Sequence, residues 1–131
     1  MDEDELTMSP YGAFLGIEIV EYSEGQSSCR LALKDHHMNS GGRIHGGVLT
    51  SLADTAAGVA LRTVRPEGKL SVTTDLSISF IRPPQGGSLE AKASILHAGR
   101  RLVRCEIDVY SDYQLVAKSS ATFMIIESSR I

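Results

Sequence analysis

The segment Asn-Ser-Gly-Gly-Arg-Ile-His-Gly-Gly from Asn39 to Gly47, and the carboxylate of Asp54 nine residues beyond His45, are the groups in this chain best suited to chemistry. Gly41, Gly42, Gly46 and Gly47 let backbone come close to a bound group. A helix that starts at the last of these glycines carries unpaired N–H donors in its first turn, and such donors favour developing negative charge. Asp54 then falls about two and a half turns into that helix. The pattern therefore sets a place for a growing anion in register with a carboxylate able to take a proton or to attack.

The elements that must position these groups are legible around them. Phe14 to Glu21 and Ser28 to Leu33 alternate apolar and polar residues across the turn Ser23-Glu-Gly-Gln26, which predicts paired strands. From Val48 to Val64 the period changes to three and four, through Val48, Leu49, Leu52, Ala53, Ala56, Val59 and Ala60, as in a helix. Thr50, Ser51, Asp54, Thr55, Gly58 and Arg62 form its polar stripe, and its alanines make it slim enough to lie close on a sheet. Arg65-Pro66-Glu-Gly68 stops it. Ser71 to Phe80 alternates cleanly, with Val72, Thr74, Leu76, Ile78 and Phe80 on one face and Ser71, Thr73, Asp75, Ser77 and Ser79 on the other. This places Thr73 on the face turned away from the helix. Further strands are expected at Leu89 to His97, Leu102 to Tyr110 and Leu115 to Ile126. Two strands, one long helix and three or four more strands predict an α+β fold, an antiparallel sheet of about five to six strands wrapped around one central helix.

Composition narrows the setting. The chain has 131 residues and a formal net charge of −3, with its Lys and Arg scattered, so no nucleic-acid surface is expected. Cys29 and Cys105 are far apart and lack metal-ligand spacing, which suits two buried thiols in a reducing compartment. The start, Met1-Asp-Glu-Asp-Glu5, is acidic, and no segment has membrane-spanning length, so a cytoplasmic protein with a solvated tail over residues 1–13 is expected. His36, His37 and His97 do not form a metal-binding pattern, and no metal or cofactor is expected.

Asn39, His45-Gly46-Gly47 and Asp54, followed by Ser71-Val-Thr-Thr-Asp-Leu-Ser-Ile-Ser-Phe-Ile-Arg-Pro-Pro84, resemble the hotdog-fold acyl-CoA thioesterases of the phenylacetate-pathway (PaaI-like) type. The resemblance implies a single hotdog domain over residues 14–131. By position it implies Gly46 as the backbone N–H donor that polarises the thioester carbonyl, His45 as its neighbour shaping the site, and Asp54 as nucleophile or general base. Asn39 and Thr73 take supporting roles. It also implies a homodimer or homotetramer, with Asn39, His45 and Gly46 of one chain meeting Asp54 and Thr73 of its partner. A sheet wrapped on one helix leaves open edges that such pairing removes.

The substrate implied is a small to medium acyl-CoA, aromatic phenylacetyl-like groups included, with acyl carrier protein as the other candidate thiol. Arg82, Arg100 and Arg101 are candidates for the coenzyme A phosphates. Tyr11, Phe14 and Met38 suit an acyl pocket or equally a packing role. Two other readings stay open: a hotdog dehydratase or hydratase, which needs His45 itself as the base, and a non-catalytic acyl-CoA-binding protein.

Overall fold

The computed structural model describes residues 6–127; the acidic run Asp2 to Glu5 lies outside them. In chain order the elements are α1 (Pro10–Leu15), β1 (Ile17–Ser23), β2 (Gln26–Ala32), α2 (Gly46–Arg62), β3 (Lys69–Phe80), β4 (Ser88–Ala98), β5 (Leu102–Ser111) and β6 (Gln114–Glu127). A 3-10 turn, Asp35–His37, precedes the glycine-rich loop. All strand pairs are antiparallel, in the order β1-β2-β4-β5-β6-β3. The architecture is the expected α+β one: six strands around one long helix.

α2 packs across β2, β4 and β5. Its buried face includes Leu52, Ala53, Ala56, Ala57, Val59, Ala60 and Leu61, all fully shielded. The alanines bring the helix axis close enough that Ser27 Oγ on β2 donates to the Ala56 carbonyl at 2.6 Å. Truncating Leu52 or Leu61 to alanine would cost about 2–5 kcal/mol, because the surrounding sheet can collapse only partly into the hole. Cys29 and Cys105 face this core, and burial pushes their thiols up to about 11 and about 12.

Two expectations need correction. The stretch read as tail up to residue 13, and the strand read as starting at Phe14, are interrupted by α1. Ser9 caps this helix by accepting from the Gly12 N–H, and Gly16 ends it at φ +94, a conformation that favours glycine. The Tyr11 hydroxyl and Ser51 Oγ lie 2.8 Å apart, tying α1 to the polar stripe of α2.

The second correction is at β3. Its ladder with β6 runs to Thr73↔Phe123 and resumes at Asp75↔Thr122, leaving Thr74 as the extra residue of a bulge. Before the bulge Thr73 shares the inner face with its buried partner Phe123; after it, Leu76 and Ile78 pack on the core. One extra residue reverses the parity, so Thr73 turns toward the helix and not away from it.

Candidate active site

The loop from Met38 to Ile44 is a small closed structure. Its ends form a bridge, Met38↔Ile44, and the Asn39 N–H donates to the Arg43 carbonyl at 2.6 Å. Asn39 Oδ1 accepts from the N–H groups of Gly41 at 2.9 Å and Arg43 at 3.1 Å. Its oxygen is therefore spent on the loop. Its Nδ2 hydrogens have no acceptor among the described residues and are the groups able to reach a substrate or water.

His45 is the N-cap of α2. Its Nδ1 accepts from the Gly47 N–H at 2.9 Å, so in the neutral ring the proton sits on Nε2. The ring is turned back on its own helix as a cap. Gly46 is the first helical residue, and its N–H has no acceptor among the described residues. A Cβ at Gly46 would lie 3.2 Å from Phe80 Cζ, so the glycine permits the close approach of β3 to the helix start. Gly46 lines a cavity of about 700 Å³ together with Asn39, Arg43, Leu49, Phe80 and Arg82. That size suits a small-molecule ligand.

Asp54 sits elsewhere. It is half-buried on α2, and its Oδ1 accepts from Thr73 Oγ1 at 2.9 Å. Its place eight residues beyond Gly46 corresponds to about 12 Å along the helix, and it does not line the cavity that Gly46 lines. Within one chain the structure thus makes two groupings, Asn39 with His45 and Gly46, and Asp54 with Thr73.

The three arginines also divide. Arg82 lines the cavity. Arg100 and Arg101 lie in the β4–β5 turn, at the other end of a strand about 33 Å long, where the Arg101 carbonyl accepts from the Ile125 N–H at 2.7 Å. Among the described residues no group of three or more His, Cys, Asp or Glu is placed to hold a metal ion. No described helix is long and apolar enough to cross a membrane.

Sequence reasoning missed three participants. Arg43 lines the cavity, but nothing in its loop context marks it. Phe80 closes over Gly46, and only its position at the strand end hinted at this. His37 is buried and bonded through both ring nitrogens, to the Lys34 N–H and the Leu15 carbonyl.

A six-stranded sheet around one helix, a glycine-rich loop running into that helix and a carboxylate on its polar stripe define a hotdog thioesterase. The chain belongs to the thioesterase superfamily, whose model matches residues 41–118. It is a thioester hydrolase. A solved conserved protein of Pseudomonas aeruginosa is 34% identical, with a TM-score of 0.89 over 95% of this chain and 100% of that one. The PaaI protein from the phenylacetic acid degradation operon of Escherichia coli is 28% identical, with a TM-score of 0.82 over 90% of this chain and 85% of that one. Among characterised sequences, the medium/long-chain acyl-CoA thioesterase YigI of Escherichia coli is 28% identical over 134 residues, 88% of this chain and 85% of the relative.

Proposed function

We propose that this protein hydrolyses acyl-CoA thioesters at sites that each combine two copies of the chain. The observation that carries this is the arrangement along β3. Phe80 at one end lies against Gly46, while Thr73, seven residues away, holds Asp54. β3 is an edge of the sheet, with one side unpaired among the described residues. Two copies pairing β3 antiparallel about a two-fold axis near Leu76 and Ser77 would set Phe80 of one beside Thr73 of the other. The Gly46 N–H of each chain then faces the Asp54 carboxylate of its partner. The same pairing puts Arg82 of one copy at the end where Arg100 and Arg101 of the other lie, which supports a divided phosphate contact.

In the proposed reaction the Gly46 N–H, aided by the positive end of α2, receives the charge that builds on the thioester oxygen. Asp54 either takes a proton from the attacking water or attacks the carbonyl carbon itself, and Thr73 Oγ1 holds it in place. With water as the attacking group, the tetrahedral intermediate expels the coenzyme A thiolate, which takes up the proton Asp54 received, and the free acid leaves. With Asp54 as the attacking group, loss of the thiolate leaves a mixed anhydride on Asp54, which water then hydrolyses to the free acid and the original carboxylate. Asn39 Nδ2 donates to the carboxylate or the water. The acyl group proposed is small to medium, aromatic groups included, and the compartment is the cytoplasm. A homodimer is the minimum unit, and a pair of dimers is proposed beyond it. Dehydration chemistry would need His45 as the base, and its acceptor nitrogen is already taken by Gly47.

The test is release of free thiol from short, medium, long and aromatic acyl-CoAs, and from an acyl carrier protein conjugate, by the wild type and by Asp54→Asn. Turnover that disappears in the variant supports the reading and identifies the acyl class. A folded wild type inert on every substrate would refute it.

A further inference from the structure

His37 is 1% exposed, and every polar group it owns near the loop is engaged. Its Nδ1 accepts from the Lys34 N–H at 2.9 Å, and its Nε2 lies 2.8 Å from the Leu15 carbonyl, the last residue of α1. Only one state of the ring satisfies both partners: neutral, with the proton on Nε2 donating to Leu15 and the bare Nδ1 accepting. The Leu15 carbonyl is one of those a helix leaves unpaired at its end, so the ring completes α1 as well as its own turn.

The backbone of His37 continues the connection. Its carbonyl accepts from the His45 N–H at 2.9 Å, closing the base of the loop, and His45 in turn caps α2 through Gly47. An unbroken chain of hydrogen bonds therefore runs from the end of α1, through the His37 ring and carbonyl, to the residue immediately before Gly46. His37 is the one fully buried side chain at this loop among the described residues: Asn39 bonds within the loop, Met38 and Arg43 are exposed, and Ile44, half-buried against the core, gives apolar contact with no polar anchor.

We infer that His37 is the positioning residue for the oxyanion donor, fixing through its neutral ring where the Gly46 N–H stands relative to Phe80 and the cavity. The inference rests on the thioesterase reading above for its catalytic consequence. It acts through geometry alone; His37 does not line the cavity and touches no reacting atom. Misplacing a donor by about 1 Å can reduce turnover about 100-fold.

The test uses two conservative variants of the full chain. His37→Asn offers an acceptor oxygen near the Nδ1 position but no donor to Leu15, and His37→Gln offers a donor near Nε2 but no acceptor for Lys34. Each is assayed below its melting transition, with oligomeric state verified. Expected is a loss of kcat between about 10- and 100-fold with KM within about 3-fold, and displaced amide resonances for Gly46 and Gly47 with those of Asp54 and Thr73 unmoved. His37→Phe, which keeps the ring shape but neither hydrogen bond, should be the worst of the folded variants. Folded His37→Asn and His37→Gln with kcat within 2-fold of wild type would overturn the inference, as would a raised KM with unchanged kcat. The resonance measurement does not depend on turnover. If the wild type hydrolyses no acyl-CoA, the thioesterase reading fails by itself, and unmoved Gly46 and Gly47 resonances in both variants still refute the positioning of the loop by His37.

Discussion

The two halves of the candidate site are held by opposite means. The half at the start of α2 is made of backbone: side chains of Asn39, His37 and His45 spend acceptor atoms fixing a loop so that one glycine N–H is left over. The half at Asp54 is made of side chains, a carboxylate and a hydroxyl 2.9 Å apart, aimed by a single bulge in β3. A backbone donor cannot be removed by ordinary substitution but can be misplaced from a distance. A carboxylate is the reverse, abolished by the change of one atom. The first half therefore has its vulnerable points spread over a loop and a helix end, while the second concentrates them in two residues.

Breaking the side-chain half should give the largest effect. Asp54→Asn conserves volume at a half-buried helix position, so the fold should persist while turnover falls about 10²- to 10⁴-fold in the thiol-release assay. Full activity in that variant would remove the carboxylate from the mechanism.

The backbone half can be broken by one exceptional substitution. Proline at Gly46 deletes the N–H, and the position tolerates it: it is the first of the helix, and His45 before it has ψ 133, the extended conformation proline demands of its predecessor. Turnover should fall about 10²- to 10³-fold. Gly46→Ala is the control, because its Cβ crowds Phe80 but keeps the donor; Phe80 is 55% exposed and has room to shift. Less than about 10-fold loss is expected there. Mixing the Asp54→Asn and Gly46→Pro chains sharpens the comparison further. If the halves come from different copies, mixed dimers regain one intact site and the population about a quarter of wild-type activity. No recovery after verified subunit exchange would place both halves in one chain.

Smaller effects should follow from the supporting groups. Thr73→Val keeps the shape of the side chain and deletes the hydrogen bond to Asp54, for a loss of about 5- to 10-fold in kcat with stability little changed. The smallest effect concerns neither half. Cys29 and Cys105 hold their protons more tightly in the folded chain, at about 11 and about 12, than at the ordinary 9.0. Their contribution to stability is complete below pH 9 and lost as pH rises through about 11 for Cys29 and about 12 for Cys105, so denaturant midpoints should drop across that window. At neutral pH both thiols should be silent to a thiol-reactive dye until the protein unfolds.

How much of this was legible in the sequence differs between the halves as well. The helix over Val48 to Val64, its buried alanines and its polar stripe follow from a period that repeats several times, and alternation limits the sheet to about five to six strands, of which the structure has six. The glycine-rich loop and Asp54 stood out because glycine spacing and a lone carboxylate on a helix stripe are local signals. Thr73 was misplaced because alternation assumes an unbroken ladder. The bulge at Thr74 is a property of how β3 meets β6, fifty residues away, and no residue of β3 announces it. His37 drew notice only as one of two neighbouring histidines, since its partner Leu15 is 22 residues distant and contributes a carbonyl, a group every residue has. Short α1 was hidden for the same reason: six residues carry too little period to read, and its docking through Tyr11 to Ser51 spans 40 positions.

The sequence by itself determined which elements form and which chemical groups are on hand, because hydrophobic period, glycine and proline act within a turn or a strand. The tertiary structure alone decided where those groups point: that the Asn39 oxygen is consumed by its loop, that the His45 ring is a cap, that Thr73 turns inward to Asp54, and that Asp54 does not line the cavity that Gly46 of the same chain lines. The turn of Thr73 depends on strand register between β3 and β6, and the loop that Asn39 and His45 close locally is held at its base by the His37 bonds to Leu15 and His45; such contacts join segments distant in sequence and are fixed only when the whole sheet closes around its helix.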